Sequence, residues 1–321
     1  MSDIEALDVE PEVAVPVDDT RDTLSPSALS SFEICGARGE HYKDPDIPRT
    51  NTLGTARGRA WHAAMEFYNT FPDLEQQSTI DMIDQLDAVA LVRLTEVVGE
   101  DNFEWQEGDD FPEVLEQLHV MVESYCKAEP SVRWAEDGIS TLAIERGVFA
   151  DMGSPSHVMP GVIDVVKLVL PAEVGAKGTV VGVDYKSAGR AWGGRKALGD
   201  PRTVIQPPLY AEAWEQVTGD PMDWFAMDVM TVKGKFQRVW YPTSKPHRQP
   251  FIDRWKAVSA QIAMHQEQGL PMPTNPGHML CSPKWCSYWD ICPMGAEYDS
   301  VLNPSLNINT GTRVSAKGIA S

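Results

Sequence analysis

The chain has 321 residues, 42% hydrophobic and 23% charged, with a formal net charge of −20. That length can bury a full core in one large domain or two unequal ones, and no apolar run approaches the roughly 18–20 residues that span a bilayer. An acidic N-terminus is no basic-then-apolar leader, so the expectation is a soluble cytoplasmic protein with reduced thiols, no membrane partner, and a need for a local basic surface if it binds a polyanion.

Residues 1–23 lack apolar periodicity and read as a disordered acidic tail, with eight acids against Arg21 up to residue 24. Order is expected from LSPSALSSFEIC, where Ser25 can cap a helix beginning at Pro26. A second helix over 54–71 carries His62, and two more follow at about 78–98 and 112–128. In the last of these Val114, Leu118, Met121 and Tyr125 form one apolar stripe, with Val122 and Cys126 beside it. Residues 24–135 therefore read as a helical region, an insertion or cap ahead of a sheet. From 140 the pattern turns to strands, TLAIERGVFA, PGVIDVVKLVL and GTVVGVDYKS, expected to run antiparallel. A helix at about 207–218 has Pro207 and Pro208 in its first turn and Gly219 past its end. A hairpin turning at KGK and a helix ending near Gly269 complete a core over 136–270. Residues 271–302 form a cysteine-bearing segment and 303–321 a flexible tail. The fold class is α/β, a mixed sheet flanked by helices.

Side chains alternate along a strand, so Asp184 and Lys186 share a face, with Tyr185 opposite. Asp164 on the preceding strand can meet Asp184 across the ladder. Two converging, half-buried carboxylates repel, and a divalent cation relieves that repulsion. Mg²⁺ or Mn²⁺ held by such carboxylates suits phosphoryl chemistry, and a neighbouring lysine can orient water and stabilise developing charge. An exposed hairpin is the other reading of a D-x-K, but both carboxylates lie between apolar runs, and a polar group inside a buried strand requires a reason. Glu145, one strand earlier, reads either as a further ligand or as a strand-edge charge. Between 186 and 206 the basic residues Lys186, Arg190, Arg195, Lys196 and Arg202 meet only Asp200, which suggests a nucleic-acid groove or a solvated loop.

The segments GRAWH, GVID, DYK and QPPLY, taken in order, resemble the RecB-type branch of the PD-(D/E)XK nuclease superfamily. With the cysteines, the chain is most similar to its CRISPR-associated and phage-encoded iron–sulfur exonucleases. The resemblance implies a PD-(D/E)XK core with an N-terminal helical insertion. It makes His62, Asp164 and Asp184 the Mg²⁺ or Mn²⁺ ligands, Lys186 the catalytic lysine, and Gln206 and Tyr210 a helical pair one turn apart. Asp184 stands where many CRISPR-associated relatives carry Glu. Pro207 and Pro208 within QPPLY are unusual and push Gln206 toward the helix N-cap.

Cys35, Cys281, Cys286 and Cys292 supply four thiolates, which suit either [4Fe–4S] or tetrahedral Zn²⁺. A 1+3 split is the cluster arrangement of the family resembled, although four residues between Cys281 and Cys286 replace the common two. Trp285, Tyr288 and Trp289 would shield the cluster, and Cys126 reads as a core residue. The implied activity is metal-dependent DNA hydrolysis from single-stranded ends, in recombination, repair, phage DNA processing or spacer capture. A helicase or a recombination or spacer-capture protein would be its partner, in a bacterial cell or a phage-infected host. No phosphate-binding loop indicates a motor within the chain. The rival readings are a non-catalytic DNA-end adaptor and a zinc-clasped endonuclease of the same fold.

Overall fold

The β-branched runs pair into one mixed sheet. In the computed structural model, which describes residues 19–47, 50–170, 178–200, 203–282, 285–289, 291–292 and 295, its strands are β1 (Asp22–Thr23), β2 (Ile139–Ala150), β3 (His157–Val169), β4 (Thr179–Ala188), β5 (Trp224–Thr231) and β6 (Phe236–Pro242). The order is β1-β3-β4-β5-β6, with β2 also on β3. β2, β3 and β4 run antiparallel as expected, β4 and β5 parallel, and β5 and β6 form the expected hairpin. Helix α8 supplies the crossover that a parallel pair requires.

The helices are α1 (Pro26–Ile34), α2 (Gly36–Lys43), α3 (Leu53–Thr70), α4 (Thr79–Val98), α5 (Phe111–Cys126), the short α6 (Pro130–Arg133) and α7 (Gly194–Ala197), α8 (Gln206–Thr218) and α9 (Lys245–Glu267), with a 3₁₀ turn at Pro72–Gln76. Their ends follow the capping chemistry of the sequence. Ser25 accepts from the Ala28 amide, Thr52 from Thr55 and Ser78 from Asp81, while Gly219 closes α8 in the left-handed region. No helix among the described residues is long and apolar enough to cross a membrane.

The chain divides into two units, residues 1–23 with 51–254 and residues 24–50 with 255–321. Within the first, α3–α5 do not stand apart as a cap. Leu86, Leu118, Met121 and Tyr125 share one core with Val165, Val183, Tyr185 and Met230 of the sheet, because an apolar helix stripe needs an apolar face to cover it. Asp22–Thr23, inside the stretch read as a tail, pairs in parallel with His157–Val158, and Arg21 is held by Asp19 and the Ser154 carbonyl. The remainder of that tail, residues 1–18, and the flexible tail 303–321 lie outside the described residues. In the second unit α1 and α2 meet at Cys35, and the Trp255 indole donates to the Leu24 carbonyl.

Candidate active site

Strand register builds the centre. β2 pairs Ile144 with Val165 and Arg146 with Ile163, which sets Glu145 opposite Asp164. β3 pairs Val165 with Val183, and one step further sets Asp164 opposite Asp184. Three carboxylates from three adjacent strands thus share one row. Lys186 follows two residues along β4 on the same face, and α3 lays His62 above the row.

The contacts are specific. Asp164 Oδ2 accepts from the Tyr185 amide at 2.8 Å and lies 3.2 Å from His62 Nδ1. Lys186 Nζ lies 2.6 Å from Asp184 Oδ2, yet that oxygen is buried and makes no well-directed hydrogen bond. The side chains of Asp164 and Asp184 are 12% and 3% exposed, against 32% and 30% for His62 and Lys186. The acids lie at the bottom, and the imidazole and the ammonium form the more accessible rim. Tyr185, pointing the other way, accepts from the Asn69 amide, whose oxygen takes the buried Lys167 ammonium at 2.7 Å. That chain of bonds fixes β4 from its reverse face.

Burial and charge compete at each group. Burial pulls the Lys186 and His62 pKa values down, but Asp184 and Asp164 outweigh it and both end raised. Burial lifts the Asp164 carboxyl, but His62 and Lys186 leave it below the ordinary carboxylate value. At Asp184 burial prevails over Lys186, and the pKa rises to about 6. Lys186 and His62 do pull it down, but burial, helped by the neighbouring Asp164 charge, outweighs them. Glu145 is pushed to about 8 by burial and then by Asp164 and Glu66. Its φ is +43°, a left-handed conformation that costs a side-chain-bearing residue about 1–3 kcal/mol and gathers at functional sites.

Glu66 is the group that sequence reading missed. It lies one turn beyond His62 on α3, is raised by burial, and feels the charges of Asp164 and His62. The signal was present in the i, i+4 spacing of two ionisable residues. Tyr210 is 7% exposed, hydrogen-bonds with the Gln206 side chain, and feels Asp184, Asp164 and Glu145. Its ring also explains the glycine of GVID, since a Cβ at Gly161 would come within 2.4 Å of Tyr210 Cε1. Gln206 is the first residue of α8 and Ile205 is its N-cap. The two prolines enter the first turn, where no amide is needed, so Gln206 is not displaced from the helix.

Among the described residues no three His, Cys, Asp or Glu side chains stand at the spacing that holds a metal ion. The donor set of the centre nevertheless fits a hard divalent cation. Glu66, Glu145, Asp164 and Asp184 outnumber His62 and Lys186, and an inner oxygen of Asp184 is buried without a directed partner. Of the four basic residues singled out after the D-Y-K strand, Arg190 is exposed, Arg195 pairs loosely with Asp200 at 4.0 Å, and Lys196 is half-buried. Arg202 lies outside the described residues.

In the second unit, Cys35, Cys281, Cys286 and Cys292 line one cavity, together with Arg38, His41, Tyr288 and Trp289. None is in a disulfide. Cys35 Sγ accepts from the Asn275 amide at 3.4 Å, and Asn275 Nδ2 donates to the Ile34 carbonyl. Four thiols around one cavity, one already receiving an N–H···S bond, fit a thiolate-ligated centre by donor chemistry. Trp285 is 57% exposed and does not line the cavity, while Cys126 is in the α3–α5 core, as expected.

No curated protein matches the chain. One solved structure, of a presumptive exonuclease from Eubacterium rectale, is similar with a TM-score of 0.46 at 12% identity, covering 81% of this chain and 87% of that one; this likeness is too distant to carry an assignment. A family model described as the PD-(D/E)XK nuclease superfamily matches residues 23–293. That span takes in every residue of the carboxylate centre and all four cavity cysteines, and the chain belongs to the PD-(D/E)XK nuclease superfamily.

Proposed function

We propose that this protein is a Mg²⁺- or Mn²⁺-dependent DNA exonuclease of the RecB-type branch, acting on single-stranded ends and carrying a structural [4Fe–4S] cluster. The observation that carries the reading is the row of Glu145, Asp164 and Asp184 beneath an accessible His62 and Lys186. His62, Asp164 and Asp184 would hold the ion, which when bound supplies Lewis-acid activation of the phosphodiester and charge neutralisation. Lys186 keeps its proton and so can donate to the attacking water and to a phosphate oxygen as negative charge develops there. The Asn69–Tyr185 bond holds β4, and with it both Asp184 and Lys186, against displacement. Tyr210, bonded to the Gln206 side chain, lies within reach of the charges of the carboxylate row and would help to position it. Arg190, Arg195, Lys196 and Arg202 would offer charge to the DNA backbone near this face. Residues 24–135 and 136–270 would carry the helical region and the nuclease core, and 271–302 the cluster segment.

Cys35, Cys281, Cys286 and Cys292 would bind the cluster, tying α1 to the C-terminal segment. The test is digestion of end-labelled single strands with Mn²⁺, Mg²⁺ or chelator, beside the absorbance spectrum of anaerobically purified protein. Metal-dependent loss of the end label and a brown protein are expected. Intact DNA under every metal condition would overturn the nuclease reading and favour the end-binding adaptor. Colourless protein containing one zinc would remove the cluster alone.

A further inference from the structure

The loop that follows the D-Y-K strand is built, not loose. Gln237 grips the main chain of Trp192 at both ends, accepting from its amide at 2.8 Å and donating to its carbonyl at 3.3 Å. Tyr241 donates to the Lys196 carbonyl at 3.2 Å. Gly199, at φ +68°, lies so close to β6 that a Cβ there would meet the Trp240 carbonyl oxygen at 1.9 Å, so only glycine fits. All three anchors belong to β6, and they present two side chains in a fixed relation, with Lys196 Nζ 3.5 Å above the Trp192 ring centroid.

Register gives the placement. Lys186 pairs with Val229, and Val229 with Gln237. Gln237 is therefore two strands from Lys186 in the same row, on the same face and about 10 Å away. Lys196 is near enough to Lys186 for the two charges to oppose each other. Trp192 makes no contact with another aromatic ring among the described residues, and its indole is partly open to solvent. A partly exposed indole beside a cation, on a loop anchored at the edge of the proposed phosphodiester-cleaving face, matches the stacking platform of single-strand binders. There an aromatic face takes a base and a cation tracks the backbone.

We propose that Trp192 stacks a nucleobase of the bound strand next to the scissile phosphate, and that Lys196, covering the opposite ring face, pairs with the adjoining backbone phosphate. The proposal rests on the nuclease reading and deepens it. A base can reach Trp192 only when it is not paired and stacked in a duplex, so this subsite selects single-stranded ends.

The test uses full-length protein with Mn²⁺ and end-labelled single strands, in wild type, Trp192→Ala, Trp192→Phe and Lys196→Met, with the melting temperature of each recorded. Trp192→Ala is expected to raise KM by about 5- to 150-fold with kcat within about twofold, whereas Trp192→Phe retains most of the affinity. Because Gln237 grips only the main chain, the alanine variant keeps the loop anchored, and its melting temperature stays near that of wild type. A single abasic nucleotide is then moved along the strand near the cleaved end. In wild type one position reproduces the loss, and at that position Trp192→Ala adds no further loss. Lys196→Met lowers the salt dependence of binding, with the log–log slope reduced by about 0.7 for one lost phosphate contact on a single strand. An unchanged KM in Trp192→Ala, or a loss that adds equally to an abasic substitution at every position, overturns the inference while leaving a cleaving wild type as a nuclease. A wild type that does not cleave overturns both.

Discussion

The link between Gly161 and Tyr210 yields a prediction whose sign can be reversed. In Gly161→Ala the new Cβ meets Tyr210 Cε1 at 2.4 Å, Cδ1 at 3.1 Å and Cζ at 3.3 Å. The ring cannot simply withdraw, because Tyr210 is buried and packs against Phe225 with centroids 6.2 Å apart. Overpacking of this severity costs about 2–3 kcal/mol. Alanine loses less backbone entropy than glycine in a strand, which returns about 0.5–1 kcal/mol. The net loss is about 1–2.5 kcal/mol, and for a chain of 321 residues the melting temperature falls by about 1.5–4 °C. Displacing the ring also disturbs the hydroxyl that faces Asp164 and Asp184, and a shift of about 1 Å near a reacting centre can slow turnover about 100-fold. Thermal unfolding by circular dichroism and cleavage of a labelled strand read the two effects. The decisive comparison is Gly161→Ala placed in Tyr210→Ala, where the clash partner is gone. There the added methyl should stabilise by about 0.5–1 kcal/mol. An equal loss of stability in both backgrounds would show that the clash is not the reason for glycine.

Asp184→Ala should abolish cleavage while folding, followed by thermal melts, and DNA binding, followed by fluorescence anisotropy, stay near wild type; digestion at the wild-type rate would remove the proposed centre. Lys186→Ala should slow turnover by about 10²–10⁴-fold with metal affinity in titration calorimetry little changed. Cys35→Ala should lose the brown colour and melt lower, whereas Cys126→Ala should keep its spectrum; equal bleaching would mean that a different four cysteines bind the cluster. Burial holds the Lys167 pKa down at about 8 against the pull of Asp228, below its unfolded value near 10.4. The fold therefore prefers the neutral amine, and its stability relative to Lys167→Met should grow as pH rises from about 8 to 10.4, by up to about 3 kcal/mol. Urea unfolding of both proteins at pH 7.5 and 10 would check this, and a constant difference would refute it.

Much of this protein is local and was therefore legible from the chain alone. Ser25–Pro26, Thr52, Ser78 and Gly219 mark helix ends because capping is satisfied within a few residues. The stripe from Val114 to Tyr125 and the alternation around Asp184 and Lys186 declare their faces by period alone. Four ordered motifs resembling one superfamily directed attention to His62, Asp164, Asp184, Lys186 and Tyr210, and that superfamily is the one to which the chain belongs.

Other features depend on residues distant in sequence, and no window along the chain contains them. Glu145 reads more readily as a strand-edge charge until the β2–β3 register sets it opposite Asp164. Glu66 acquires meaning only when α3 lies over that row. Gly161 and Gly199 look like ordinary glycines until Tyr210 and the Trp240 carbonyl arrive at the space a Cβ would fill. How the stretch after Lys186 is held is invisible along the chain, because Gln237 and Tyr241, which bond its main chain, lie about 45 residues further on. Caps and periodicities arise from short-range sterics and hydrogen bonds, whereas register, burial and the gathering of charge depend on which distant strands and helices pack together.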